Sequence, residues 1–331
     1  MNHSILKEII YDNHRIIRNF SIVERDYELN EEANYVLVGL RRAGKSTMLY
    51  KKALQLIDAG ADWEQIIYIN FEDERISDFT LNDFNDIVQT AGELTTKKPY
   101  YFLDEIQIVD GWELFARRLA DSKERVFITG SNAKMLSNEI EAKLGGRFLS
   151  KRIMTYSFEE YLDARTISHD EASIYTSALN GQLRNAAREY MYEGGFPEAI
   201  SFRDKRTYIE NVYNKVLLGD IAARNGIRNI QALRVMMKKI AETITSEISY
   251  TKLTNIVNSI GIKLSKDSLI NYIGYTEDAY LLFRVHNYIA KFSDKESTPR
   301  FYYYDNGLLN LFLINKDSLL LENTVATHLK R

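Results

Sequence analysis

The stretch Asn34–Thr47, NYVLVGLRRAGKST, restricts what this chain can fold into more than any other. Four apolar residues, Tyr35 to Val38, lead into a loop bounded by Gly39 and Gly44. A helical pattern of Met48, Leu49, Ala53, Leu54 and Ile57 follows. Gly39, Gly44, Lys45 and Ser46 fit G-x-x-x-x-G-K-[ST], whose confirming context is a strand before and a helix after. Such a loop lets backbone N–H groups converge on phosphate oxygens, and the helix adds its positive N-terminal end. The expected nucleotide contacts are Gly39, Arg42, Ala43, Gly44, Lys45, Ser46 and Thr47. Lys45 would reach the β- and γ-phosphates, and the Ser46 hydroxyl would hold Mg²⁺. A chance glycine turn before a helical lysine would match the four fixed positions, but not the strand and helix around them.

The 331-residue length allows two or three domains with a sizeable core. A net charge of −3 announces no global basic field for nucleic acid, and the absence of cysteine excludes disulfides, thiolate zinc sites and cysteine nucleophiles. No run of eighteen apolar residues is present, and the polar start MNHSILKEII lacks a signal-peptide core. The expectation is therefore a cytoplasmic protein without membrane contact. Three prolines and no low-complexity tract argue against long disordered linkers.

Residues 1–33 read as an N-terminal helical segment, with Ile5, Ile9, Ile10, Ile16, Ile17 and Phe20 at roughly helical spacing. Residues 34–160 alternate strands and helices. The runs Ile66–Phe71, Tyr100–Leu103 and Arg125–Thr129 read as buried strands, and capping boxes at Thr80/Asp83 and Ser157/Glu160 open helices. That alternation predicts an α/β fold of the P-loop NTPase kind, a parallel sheet with helices on both faces. Residues 161–245 read as a helical module. Within it, residues 203–239 carry nine Lys/Arg against three Asp/Glu. In residues 246–305 a helix at Tyr250–Ile260, a turn at Gly261, a helix from about Ser265 to Glu277, and apolar runs at Ala279–Ile289 and Arg300–Tyr304 follow in the order of a winged helix. The Tyr302–Tyr304 run reads as buried strand rather than a platform for stacking bases.

A phosphate cradle becomes a hydrolase through a second acidic constellation. Asp104 ends an apolar strand, where open parallel sheets place ligands, and would hold Mg²⁺. Glu105 beside it would polarise the attacking water. Two acids after a strand also simply begin solvated loops; their position about sixty residues after the P-loop favours the catalytic reading. In Thr129–Asn132 (TGSN), Asn132, or less directly Ser131, would sense the γ-phosphate, although either could merely cap a helix. Arg147, after Gly145 and Gly146, would neutralise charge on the triphosphate from its own subunit or a neighbour's. Its ordinary alternative is a surface salt bridge. The five histidines show no metal-ligand spacing.

GLRRAGKST, YYFLDEIQ, ITGSNAKML and LGGR, in this order, resemble the bacterial and archaeal AAA+-type ATPases that pair a P-loop module with a DUF4143 module. The resemblance continues through EYMYEGGFPEAI, VLLGDIAARNGI and FYYYDNGLLN, so it covers nearly the whole chain. It implies an ATPase core of the additional-strand, catalytic-glutamate class. It also implies ATP rather than GTP, with Lys45 and Ser46 at phosphate and metal, Asp104 at Mg²⁺, Glu105 as base, Asn132 or Ser131 as sensor, and Arg147 as an arginine finger. In that family a nuclease-like portion follows the winged helix. Residues 306–331 would be only its beginning, with Glu322 as its first acid and no counterpart to the later acid–lysine pair.

Two functions follow as expectations. One is Mg²⁺-dependent ATP hydrolysis coupled to conformational change of the winged-helix module. The other is a nucleotide-switched DNA-binding or regulatory protein with negligible hydrolysis. Against DNA, residues 250–290 balance Lys252, Lys263, Lys266 and Arg284 with Asp267, Glu277 and Asp278, which leaves few charges for phosphate contacts. A P-loop kinase fits less well, because adjacent Asp104 and Glu105 suit water activation. An arginine finger acting in trans would make homo-oligomers partners alongside ATP and ADP.

Overall fold

The computed structural model describes residues 2–30, 32–132, 135, 138–170, 175–289, 297–314 and 316–331. These form two compact units. The first comprises Met1–Gly39 and Gly44–Ile153, and the second Leu40–Ala43 and Met154–Arg331.

The first unit is built on five parallel strands: β1 Asn34–Val38, β2 Ile66–Asn70, β3 Tyr100–Asp104, β4 Arg125–Gly130 and β5 Phe148–Arg152. Their order is β2-β3-β4-β1-β5, with β4 inserted between the P-loop strand β1 and the acid-bearing strand β3. Alternate residues of the strands point to opposite faces, and here both faces are buried. Tyr35, Leu37, Tyr68, Phe102 and Phe127 pack on one side with Met48, Leu49 and Ala53 of helix α2 (Lys45–Asp58) and with Ile17 of helix α1 (His3–Arg18). On the other side Val36, Ile67, Leu103 and Ile128 are equally buried. This is the P-loop NTPase-type parallel sheet with helices that the alternation predicts.

Two local readings change. Helix α1 stops at Arg18, where Asn19 caps it through its backbone N–H to the Ile16 and Ile17 carbonyls. Beyond it the apolar spacing weakens and the chain runs extended. Tyr27 and Leu29 pack onto the core, and the Lys52 ammonium donates to the Leu29 carbonyl (3.2 Å). Strand β5 was not legible, because FLSKR is short and carries Lys and Arg, and most of it is exposed or half-buried. The two capping boxes are present. Thr80/Asp83 opens a 3-10 turn that runs into helix α3 (Phe84–Leu94), and Ser157/Glu160 opens the helix Phe158–Ala164.

His14 of α1 is buried, and its Nε2–H donates to the Ile66 carbonyl (2.7 Å) while Nδ1 has no partner. Burial holds its pKa below the ordinary 6.5. The unfolded chain therefore takes up this proton first as the pH falls. The stability tied to a neutral His14 is complete above about pH 6.5 and is lost progressively as the pH drops toward the lowered native value. The urea midpoint, read by Trp63, whose ring centroid lies 5.2 Å from that of His14, is expected to fall between pH 7 and 5. His14→Gln should flatten that slope; an unchanged slope would exclude His14 as its source.

The second unit is mainly helical. Ser177–Glu193, Lys205–Lys215 and Ile230–Glu242 are α-helices, and Val216–Ala223 is a π-helical segment. Helices Tyr250–Ser259 and Lys266–Asp278 then precede an antiparallel pair, β6 Leu282–Val285 and β7 Arg300–Tyr303, in the register Leu282↔Tyr303. The helix–turn–helix–hairpin order holds, with strands shorter than expected; residues 290–296 of the charged loop between them lie outside the described residues. Residues 306–331 fold into this unit as helices Asn306–Asn310 and Asp317–Lys330. Asn323 accepts the Tyr303 N–H (2.8 Å) and donates to the Tyr303 carbonyl (3.1 Å). Buried Asp305 accepts the Gly195 N–H (2.8 Å), the Gly307 N–H (2.8 Å) and the Thr155 hydroxyl (2.7 Å), which ties EYMYEGGFPEAI to FYYYDNGLLN. Glu322 accepts the Tyr302 hydroxyl (3.0 Å).

Candidate nucleotide site

Strand β1 ends at Val38 and the chain turns through Gly39 at φ +150°. A Cβ there would lie 2.1 Å from the Ile153 carbonyl oxygen, so only glycine fits. The loop re-enters helix at Gly44, left-handed at φ +97°, where Lys45 starts α2. Between them Arg42 is also left-handed (φ +66°) and Ala43 is fully buried. Residues 40–43 pack as part of the second unit. There Arg41 makes a two-pronged pair with Asp220 (3.0 and 3.2 Å), and Arg42 pairs with Glu198 at 2.9 Å.

Lys45 is 4% exposed; its ammonium donates to the Gly39 carbonyl (3.3 Å) and stands 3.6 Å from Glu105 Oε1. Ser46, in the first turn, hydrogen-bonds to Asp104, and Thr47 follows it half-buried. The last residue of β3, Asp104, is 1% exposed, and its carboxylate also accepts the hydroxyls of Tyr68 (2.7 Å) and Thr129. Burial first, and the neighbouring Glu105 charge second, raise its pKa, while the three hydroxyl donors work against that rise. Glu105 itself is left-handed (φ +53°), an uncommon conformation for a side-chain-bearing residue. Its N–H donates to Thr129 Oγ1 (2.9 Å), and its carboxylate accepts the Gln107 amide (2.5 Å).

Lys45, Ser46, Asp104 and Glu105 thus meet where the carboxyl ends of β1 and β3 approach the start of α2. Beyond β4, Ser131 is buried with its hydroxyl unpartnered, while Asn132 is half-buried and its carbonyl accepts the Met135 N–H (3.1 Å). Arg147 is not gathered with them. It lies on the surface, paired with Asp121 and bonded to the Gly145 carbonyl (3.1 Å). Sequence reasoning missed Tyr68 and Gln107 and did not assign Thr129 to Asp104. A tyrosine inside the otherwise aliphatic IIYINF was the available signal for the first.

The donors suit the groups the motif implies. Gly39 runs against the Ile153 carbonyl where no side chain fits, Gly44 supplies the left-handed turn into α2, a lysine is held inside, and Ser46 and Asp104 offer oxygen ligands of the kind Mg²⁺ takes. Among the described residues, no helix is long and apolar enough to cross a membrane.

Residues 31–162 match the AAA domain family AAA_14, and residues 184–319 match a domain of unknown function, DUF8612, where the resemblance in sequence pointed to DUF4143. Among solved structures, the Walker-type ATPase PABY2304 of Pyrococcus abyssi aligns at TM-score 0.46 and 12% identity, covering 93% of this chain and 95% of that one. Orc1 of Aeropyrum pernix, solved in complex with DNA, aligns at TM-score 0.33 and 14% identity, covering 99% and 93%. An uncharacterized Haemophilus influenzae protein is 29% identical over 280 residues, 82% of this chain and 67% of its own. The uncharacterized protein MJ1544 of Methanocaldococcus jannaschii is 33% identical over 335 residues, 99% of this chain and 74% of that one. An alignment at 33% identity that spans 99% of the chain places it in the family of MJ1544, as a P-loop protein with an AAA domain followed by DUF8612.

Proposed function

We propose that this protein binds ATP with Mg²⁺ and hydrolyses it, and that hydrolysis changes the conformation of its C-terminal module, in which residues 246–305 form a winged-helix-like domain. The observation that carries the reading is the convergence of Lys45, Ser46, Asp104 and Glu105. Gly39–Thr47 would cradle the phosphates through backbone N–H groups, and Lys45 would give up Glu105 and the Gly39 carbonyl to pair with the β- and γ-phosphates. Ser46 and Asp104 would hold Mg²⁺, whose charge would stabilise the negative charge of the phosphates. Glu105, released from Lys45, would take the proton of the attacking water. Asn132 or Ser131 would read the γ-phosphate, the unpartnered Ser131 hydroxyl being free for such a bond. Arg147 would act as an arginine finger once it leaves Asp121, in cis or toward a neighbouring copy.

The coupling has its support in the loop. Residues 40–43 of the loop fold with the second unit, where Arg41 pairs with Asp220 and Arg42 with Glu198, and Asp220 lies in a π-helical segment, a feature frequent at functional sites. The test is phosphate release from ATP at rising protein concentration, in Mg²⁺ and in EDTA, with and without duplex DNA. The expected result is release in Mg²⁺ that disappears in EDTA. Specific activity that rises with concentration would mark a site shared between copies, and a rise with DNA would name the partner. Tight binding without phosphate release would overturn hydrolysis in favour of a nucleotide-operated switch.

A further inference from the structure

We propose that Tyr68 is a positioning residue for Asp104, the acid assigned above to Mg²⁺, and that Tyr50 extends this support back to the P-loop helix. The proposal rests on that assignment. Asp104 ends β3, between β2 and β4, and each flanking strand contributes one hydroxyl. Tyr68 of β2 donates to Oδ2 (2.7 Å), and Thr129 of β4 donates to Oδ1. Both donors are fully buried, whereas the third, Ser46, is half-buried at the head of α2. The two buried hydroxyls therefore fix the plane of the carboxylate from either side, and Ser46 is the donor free to turn to a cation.

The Tyr68 ring cannot rotate away. It stacks on Phe102 (centroids 6.2 Å apart, planes at 17°) and leans on Tyr50 (5.4 Å, 50°), which in turn packs edge-on against Phe20 (5.2 Å). A phenol carries one proton, and that of Tyr68 goes to Asp104. The Tyr50 ring, inside α2, supports Tyr68 by packing against it. Groups that orient a metal ligand in this way are worth 10- to 100-fold in metal affinity when removed.

The test is binding of a fluorescent ATP analogue to the full chain, titrated with Mg²⁺ and repeated in EDTA. Tyr68→Phe keeps the ring and deletes the hydroxyl. It is expected to raise the Mg²⁺ concentration for half-maximal effect about 10- to 100-fold, and to leave affinity in EDTA unchanged, because Lys45 and the loop are intact. Tyr50→Leu, which removes the ring packed against Tyr68, should shift the titration the same way by less. Asp104→Asn is the control and should abolish the Mg²⁺ effect. Wild-type titrations in both tyrosine variants, with Asp104→Asn inactive toward Mg²⁺, would overturn the positioning role alone. An unchanged titration in Asp104→Asn would instead remove the metal assignment, and the proposal with it. A Tyr68→Phe chain that loses affinity equally in EDTA would show a role in folding rather than positioning, and would also overturn it.

Discussion

Lys45→Ala is expected to lower affinity for ATP about 30- to 4,000-fold, with little change in secondary structure. The lysine is 4% exposed and contacts the Gly39 carbonyl and the Glu105 carboxylate. In the proposed nucleotide-bound state those would give way to phosphate oxygens, so alanine would remove a buried ammonium that serves the triphosphate. Truncating one member of a buried charge pair costs about 2–5 kcal/mol, and 1.4 kcal/mol is about tenfold in affinity. Fluorescent-nucleotide titration beside a circular dichroism spectrum checks this. Affinity within threefold of the parent would mean that the phosphates sit elsewhere.

Glu105→Gln is expected to leave Mg²⁺-ATP binding within a few-fold and to lower single-turnover hydrolysis about 10²- to 10⁴-fold, the range lost with a general base. The substitution is nearly isosteric. The left-handed backbone at 105 and its N–H bond to Thr129 persist, and the Gln107 amide finds a carbonyl oxygen instead of a carboxylate. What disappears is the proton acceptor. Rapid-quench measurement with saturating nucleotide separates this from a binding defect, and turnover within tenfold of the parent would assign the base to another group.

Most of this site could be read along the chain because its parts are local. A P-loop is a contiguous run, and an acid pair after an apolar strand marks the carboxyl edge of a parallel sheet before the strand order is known. Parts that depend on neighbours were invisible. Strand β5 is set by its pairing with β1, residue by residue from Asn34↔Phe148 to Val38↔Arg152, not by any apolar signal of its own. Tyr68 and Thr129 reach Asp104 only because β2 and β4 flank β3, an order that spacing does not encode. Arg147 was read from two glycines before it, yet its partner Asp121 lies 26 positions upstream at the end of helix α4 (Trp112–Asp121). The same holds for Asn19, whose power to stop α1 depends on the helix carbonyls that its backbone meets.

The amide of Asn323 has a consequence beyond the helix that carries it. Tyr304 directs its N–H to Leu281 across the hairpin, so the peptide groups of Tyr303 point the other way, to where a third strand would pair. Asn323 occupies both of them, as acceptor and as donor, and imitates the backbone of that strand. A two-stranded sheet left open on this side would be a template for strand addition and for aggregation. Here one side chain closes it. An incoming peptide cannot pair with Tyr303 while Asn323 holds it, so recognition of a macromolecule by residues 246–305 would fall to side chains of its helices rather than to this stretch of β7.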